Sequence, residues 1–198
     1  LRFRKCAGKP YFAFKSECMP AMICMLRGVN VGSKNKLEMA AFRGLLNALK
    51  VTQVSTYIQS GNAVFYSDKD ESALEQSIAR ALKSKMKIEV PVMVRSLSEW
   101  KQVAAGNSFL KRKNIDPARL HVTFLDAAPP DLLVQKIGDQ DYLPDEFRLV
   151  GRNIYLHCPL GYGISRLSNQ FFEKKWGVVA TTRNWNTVQQ LLQLAEAL

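Results

Sequence analysis

Two polar, glycine-bearing segments, Arg27-Gly28-Val29-Asn30 and Gln59-Ser60-Gly61-Asn62, carry groups suited to holding an anion. Glycine lets backbone N–H groups approach a ligand closely, and a helix following the first segment offers N-terminal donors and a positive dipole end. Lys34 and Lys36 add charge beside them. A second collection repeats the theme: Gly161-Tyr162-Gly163-Ile164-Ser165-Arg166-Leu167-Ser168-Asn169 opens a helix, and Arg183-Asn184-Trp185-Asn186-Thr187 supplies another arginine and an amide cluster. The candidate ligand-binding residues are therefore Arg27, Gly28, Asn30, Lys34, Ser60, Asn62, Arg166, Arg183, Asn184 and Asn186. Each element also has a plainer role. Gly28, Gly32 and Gly61 serve as turn residues, Ser165 or Ser168 as a helix cap, and Trp185 as core.

No reaction is named by these residues. A Ser/His/Asp order, paired carboxylates, a P-loop and zinc-ligand spacing are all missing from the sequence, so no cofactor and no metal are expected. No titratable base neighbours the candidate arginines, which disfavours general acid–base chemistry. An enzyme acting on a small phosphorylated or carboxylated substrate stays open as an alternative. In it Arg27 and Arg183 hold the anion while Ser60, Asn62 or Asn184 meets the reacting group.

The formal charge of +11 favours polyanionic partners in general and says nothing of specificity. Of the 28 basic residues, five lie in the first twenty-one positions, and the others form short clusters such as Lys83/Lys85/Lys87, Lys111/Arg112/Lys113 and Lys174/Lys175. Runs of this kind usually lie on solvated faces. Cys6, Cys18, Cys24 and Cys158 show no C-x-x-C spacing and read as reduced, mostly buried thiols, while His121 and His157 lie in strand-like runs. No apolar run approaches the length of about 20 residues needed to span a membrane. A soluble protein of a reducing cytoplasm, with no membrane partner, is the expectation.

The elements that must position these residues follow from periodicity. Ile23-Cys24-Met25-Leu26 is a buried strand, and Met39, Phe42, Leu45, Leu46 and Leu49 mark an amphipathic helix. Val54–Ile58 and Ala63–Tyr66 form a hairpin, Leu74, Ile78 and Leu82 a second helix, and Val90–Val94 a strand. The second half reads alike: a strand over Leu120–Leu125, a short helix from Leu132 to Ile137, a hairpin about Gly151-Arg152, a helix through Leu167, Phe171, Phe172 and Trp176, and a strand over Val178–Arg183. Helices over 97–105 and 188–198 follow the two halves. The expected class is α+β, a tandem repeat of two ferredoxin-like βαββαβ units, each followed by an extra helix. The units span 22–105 and 118–198, with a connector at 106–117 and an extension at 1–21 outside the fold, where Met19 or Met22 is the candidate start. In this topology the loop after the first strand shares an edge with the turn between the second and third strands. That brings Arg27-Gly28 to Ser60-Gly61-Asn62.

Leu26-Arg27-Gly28-Val29-Asn30-Val31-Gly32 with Lys34-Asn35-Lys36, Thr56–Asn62, Ser165–Asn169 and Thr181–Val188 resemble the signature blocks of the bacterial family called domain of unknown function 1697. The resemblance runs from about residue 22 to the C-terminus. It implies duplicated ferredoxin-like α/β units and brings no activity, substrate or catalytic residue with it. The first twenty-one residues lie outside the family pattern, and Ser33 stands where a third glycine is common. Function is read from the residues: binding of an anionic ligand, a nucleotide or nucleic acid, through the two loop clusters. A homodimer built on unit-edge strands is the structural alternative. Separation of Arg27 and Arg183 decides whether there is one site, since a gap beyond about 20 Å exceeds an ordinary pocket.

Overall fold

The computed structural model describes residues 19–32, 34–135, 137 and 142–198. Most of the expected N-terminal extension, residues 1–18, including Cys6 and Cys18, therefore lies outside the described residues, as does Ser33. The first half comprises β1 (Ala21–Leu26), α1 (Met39–Ala48), β2 (Thr52–Tyr57), β3 (Asn62–Tyr66), α2 (Glu71–Ala81), β4 (Val92–Ser96) and α3 (Leu97–Ala105). Two 3-10 turns, Ser108–Lys111 and Pro117–Arg119, lead into β5 (Leu120–Leu125). There follow α4 (Asp131–Val134), β6 (Glu146–Val150), β7 (Asn153–His157), α5 (Asn169–Trp176), β8 (Ala180–Asn184) and α6 (Trp185–Glu196).

The strands form two four-stranded antiparallel sheets, ordered β2-β3-β1-β4 and β6-β7-β5-β8, so corresponding strands hold corresponding places in both. Six α-helices accompany them among the described residues. Boundaries differ from the periodicity where a local partner decides them. β4 begins at Val92 because Pro91 has no N–H for the ladder, and its carbonyl accepts from the Arg27 N–H at 3.0 Å. At the start of β8, Val178 and Val179 stay outside the strand, and Val179 exchanges hydrogen bonds with Asp126. The short helix α4 stops at Val134, one turn in. Helix starts are set by side-chain oxygens: Asp70 accepts from Ala73 N–H at 2.7 Å, Ser96 from Glu99 N–H and Asn184 from Thr187 N–H.

Burial on both faces explains why β1 is a continuous apolar run rather than an alternating one. Met22, Cys24 and Leu26 face a core with α1 and α2. Ile23 and Met25 face a different, central core that also takes Val64 and Met93. From the second sheet the same core receives Leu120, Val122, Phe124 and Tyr155. The helices that follow the two halves fill it: α3 brings Trp100 and Val103, and α6 brings Trp185, Val188, Leu191 and Ala195. Helix α6 packs on α3 and touches β1 and β3 as well as its own β5 and β8. A third core lies between the second sheet and α4 and α5, around Phe147, Phe172 and Trp176. The two halves therefore share their middle layer.

An ionic strap reinforces this junction. Arg152, in the β6–β7 turn, donates to Glu71 at 2.6 Å and to Glu99 at 3.0 Å, both in the first half. Arg95, fully buried, returns the contact by donating to the Leu125 carbonyl, and its guanidinium lies 3.2 Å from Glu99. Burial pushes the Arg95 pKa down, and chiefly burial raises that of Glu75, which accepts from Val94 N–H. No helix among the described residues is long and apolar enough to cross a membrane.

Candidate functional site

Strands β1 and β2 run the same way, since each is antiparallel to β3. Their C-terminal ends therefore share an edge, and the Leu26 N–H donates to the Gly61 carbonyl at 2.9 Å. Gly61 has φ +73°, and a Cβ there would lie 2.6 Å from Val29 Cγ2 and 2.7 Å from Leu26 Cβ. Both the backbone region and the space demand glycine. Gly28, at φ +68°, has open space where a Cβ would stand. Gly61→Ala should cost about 2 to 4 kcal/mol, from left-handed strain plus overpacking, while Gly28→Ala should cost only about 1 to 2 kcal/mol. Thermal unfolding of the two variants checks this, and equal losses would contradict it.

A cleft of about 540 Å³ opens at this edge, lined by Arg27, Gly28 and Ser60 from the first half and Tyr162, Ser168, Asn169, Gln170 and Thr181–Arg183 from the second. Arg27 and Arg183 thus face one cavity. Arg183, only 8% exposed, crosses between the halves. Its Nε donates to Asn62 Oδ1 at 2.6 Å, and its Nη2 donates to the Leu26 carbonyl at 2.8 Å and the Ser60 carbonyl at 3.3 Å. Its Nη1 donates to Thr181 Oγ1 and the Thr182 carbonyl, each at 2.9 Å. Every one of these acceptors is neutral. Burial pushes the guanidinium down to about 10, so it stays charged at neutral pH.

The arginine also orients its neighbours. A guanidinium only donates, so Asn62 must turn Oδ1 toward it and Nδ2 toward Ser60 Oγ, 2.8 Å away. Ser60 Oγ is then an acceptor, and its own proton is left for the cleft. On the opposite wall Tyr162 OH donates to Thr182 Oγ1 at 2.9 Å, which donates to Asn169 Oδ1 at 2.7 Å. That leaves the Asn169 amide N–H groups as donors at the cleft wall. Tyr162, whose pKa burial raises, stacks on His121 with ring centroids 4.9 Å apart, and burial lowers the His121 pKa. Ser168 caps α5 by accepting from Phe171 N–H.

Arg27 is committed differently. Its two terminal nitrogens grip Glu173 of α5 at 2.6 and 2.8 Å, and Glu173 Oε1 also accepts from Ala180 N–H. The pair closes one side of the cleft with little net charge. Glu173, Tyr162, Thr182 and Asn169 take part although none is among the ligand residues expected from sequence; Tyr162 and Asn169 lie in the glycine-rich segment that opens α5, and Thr182 in the Thr181–Val188 block. The roles of Tyr162 and Asn169 depend on where Thr182 of β8 stands, 20 and 13 residues away, and that of Glu173 on Arg27, 146 residues away, which local sequence pattern does not show.

The other candidates sit elsewhere. Asn30, at φ +54°, is a loop staple: its amide donates to the Leu37 and Gln59 carbonyls and its Oδ1 accepts from Leu37 N–H. Asn62 is fully buried behind Ser60 and positions groups rather than lining the cavity. Lys34 is exposed in a bridge to Val31. Arg166 stands over the Tyr142 ring at 5.3 Å, outside the cleft lining. Asn184 caps α6, Asn186 is exposed on its first turn, and Trp185 packs in the central core. Where β8 passes into α6, the chain carries these three away from Arg183. Cys24 and Cys158 are free and buried, and burial pushes Cys158 up to about 11.

The sequence pattern of the family described as Protein of unknown function (DUF1697) matches residues 19–155, so Arg27, Gly28 and Ser60 fall within the matched span and the α5 and β8 walls of the cleft follow it. A solved structure, that of conserved bacterial protein SP0830 from Streptococcus pneumoniae, is similar with a TM-score of 0.67 and 21% identity. The match covers 90% of this chain and 99% of that one, and at such identity it bears on the fold alone. No curated protein matches the chain.

Proposed function

The chain belongs to the family described as Protein of unknown function (DUF1697), and from that premise we propose that it binds a small oxyanion, the phosphoryl or carboxyl group of a metabolite such as a nucleotide, in the cleft between its halves. Each half is read as a ferredoxin-like unit, and the cleft uses the edge where the loop after β1 meets the β2–β3 turn. One observation carries the proposal. The Arg183 guanidinium lines the cleft with all its acceptors neutral, so among the described residues no ion pair compensates its positive charge. In a site partly shielded from water such a charge favours an anion far more than a surface lysine does.

The spare donors agree with that field. Ser60 offers a hydroxyl from one wall and Asn169 an amide from the other, a set suited to an acceptor-rich oxygen group. The cavity volume falls within the range of about 300 to 1,000 Å³ typical of small-molecule sites. A concave cavity suits a small ligand better than a nucleic-acid strand. Binding rather than turnover is the reading, because the carboxylate found at its edge among the described residues, Glu173, is held by Arg27 and the Ala180 N–H.

Calorimetric titration of the full chain with inorganic phosphate, a nucleoside monophosphate and a dicarboxylate at low salt tests the proposal. At least one probe should bind, and the Ser60→Ala/Asn169→Ala double variant should bind it about tenfold or more weakly, from the loss of charge-assisted hydrogen bonds. Absence of binding by all three, or unchanged affinity in the folded double variant, would refute it.

A further inference from the structure

A basic surface, apart from the cleft, lies at the C-terminal end of α2. There the helix continues into a π-turn, Leu82–Met86, that ends on Lys87 in the left-handed region at φ +58°. A groove of about 780 Å³ is lined by Arg80, Lys83, Ser84, Lys85 and Lys87, with Glu89 as its acid. An adjoining groove of about 400 Å³ shares Arg80, Lys83 and Glu89 and reaches Pro91. Glu89 lies 3.1 Å from Lys83, and both side chains are about two-thirds exposed, at 68% and 66%. An ion pair so open to water is weak and leaves the surroundings strongly positive.

Complementing the helix C-terminus accounts for part of this charge, since the dipole there amounts to roughly half an elementary charge. Among the described residues, four cations against one acid line the groove, which exceeds that. The same geometry selects the kind of anion. A helix C-terminus presents carbonyls, so it cannot cradle a small phosphate in backbone N–H groups as an N-terminus does. Phosphates here would meet lysine ammonium groups, which act as mobile point charges along an open surface. No aromatic side chain lines either groove among the described residues, so stacking of unpaired bases has no platform. An array of point charges without stacking groups suits the densest regular array of phosphates, a duplex backbone, with one charge per about 1.7 Å.

We propose that the groove formed by Arg80, Lys83, Lys85 and Lys87 binds the phosphate backbone of duplex nucleic acid independently of sequence. This surface is separate from the Arg183 cleft, and its occupancy does not depend on a ligand there.

Fluorescence anisotropy with a short labelled duplex, measured across a range of salt concentrations, is the test. The full chain is compared with a Lys83→Glu/Lys85→Glu/Lys87→Glu variant, so the basic residues near the N-terminus are present in both. All three lysines are exposed, so circular dichroism should show an intact fold. Affinity should drop at least tenfold, and the slope of log affinity against log salt should flatten by about 3, near 0.9 for each lost phosphate contact. Ser60→Ala, a cleft variant, should bind the duplex as the parent does. Unchanged affinity and slope in the triple variant would overturn the proposal. So would tighter binding of an unpaired strand than of the duplex, or charge-dependent binding to anionic lipid vesicles with none to duplex.

Discussion

Replacing Arg183 by methionine is expected to destabilise the protein by about 3 to 5 kcal/mol, the scale for leaving several buried polar partners unsatisfied. Methionine fills much of the volume but donates nothing. The Leu26 and Ser60 carbonyls, Asn62 Oδ1, Thr181 Oγ1 and the Thr182 carbonyl would all lose a donor at once. Some can recover water through the cleft, which keeps the cost below the sum of separate losses. For a chain of this length the melting temperature should fall on the order of 10 °C. Arg183→Lys preserves charge but has at most three donors on a compact head, so it should recover only part of the stability. Differential scanning calorimetry distinguishes these cases. A methionine variant as stable as the parent would show that the brace between the halves is not energetically important.

Trp100→Ala should cost a similar amount, about 3 to 5 kcal/mol, as for other buried aromatic truncations. Trp100 is fully buried, lies stacked on Phe124 of the second sheet with centroids 4.7 Å apart, and donates its indole N–H to the Val188 carbonyl at 3.0 Å. Truncation therefore empties space in a core that both sheets and α6 share. The expected signature in urea denaturation followed by far-UV circular dichroism is one cooperative transition, moved as a whole to lower denaturant. A two-step curve in which only one half loses stability would mean that the halves fold independently despite their common core.

Periodicity alone gave access to the strand order and to much of the helix pattern. It predicted the apolar run of β1 but not that its alternate residues enter two different cores, because an apolar run records burial and not the identity of what covers it. The 22–105 and 118–198 division likewise hides the central layer, in which α6 touches β1 and β3. At the site, topology led from Arg27-Gly28 to Ser60-Gly61-Asn62, and the Leu26–Gly61 hydrogen bond joins them. The roles of the polar residues were less legible. Asn30 and Asn184 are attractive as ligand groups in sequence, yet each satisfies nearby backbone, a common use of short amide side chains. Arg183 reads in sequence as a group that holds an anion; in the fold it is also a buried cross-brace, its guanidinium donating to acceptors in both halves. Glu173 was invisible because its partner Arg27 lies 146 residues away.

Whether the charge of Arg183 makes the cleft an oxyanion site is tested most directly by nitrogen-15 NMR of the full chain titrated with a nucleoside monophosphate and, separately, inorganic phosphate. An anion seated in the cleft should give saturable shifts in the Arg183 Nε–Hε resonance and in the amides of Ser60, Gly61, Asn169 and Gln170. Shifts confined to the Lys83–Lys87 surface, or no saturable shift in the cleft with either probe, would contradict an oxyanion site there.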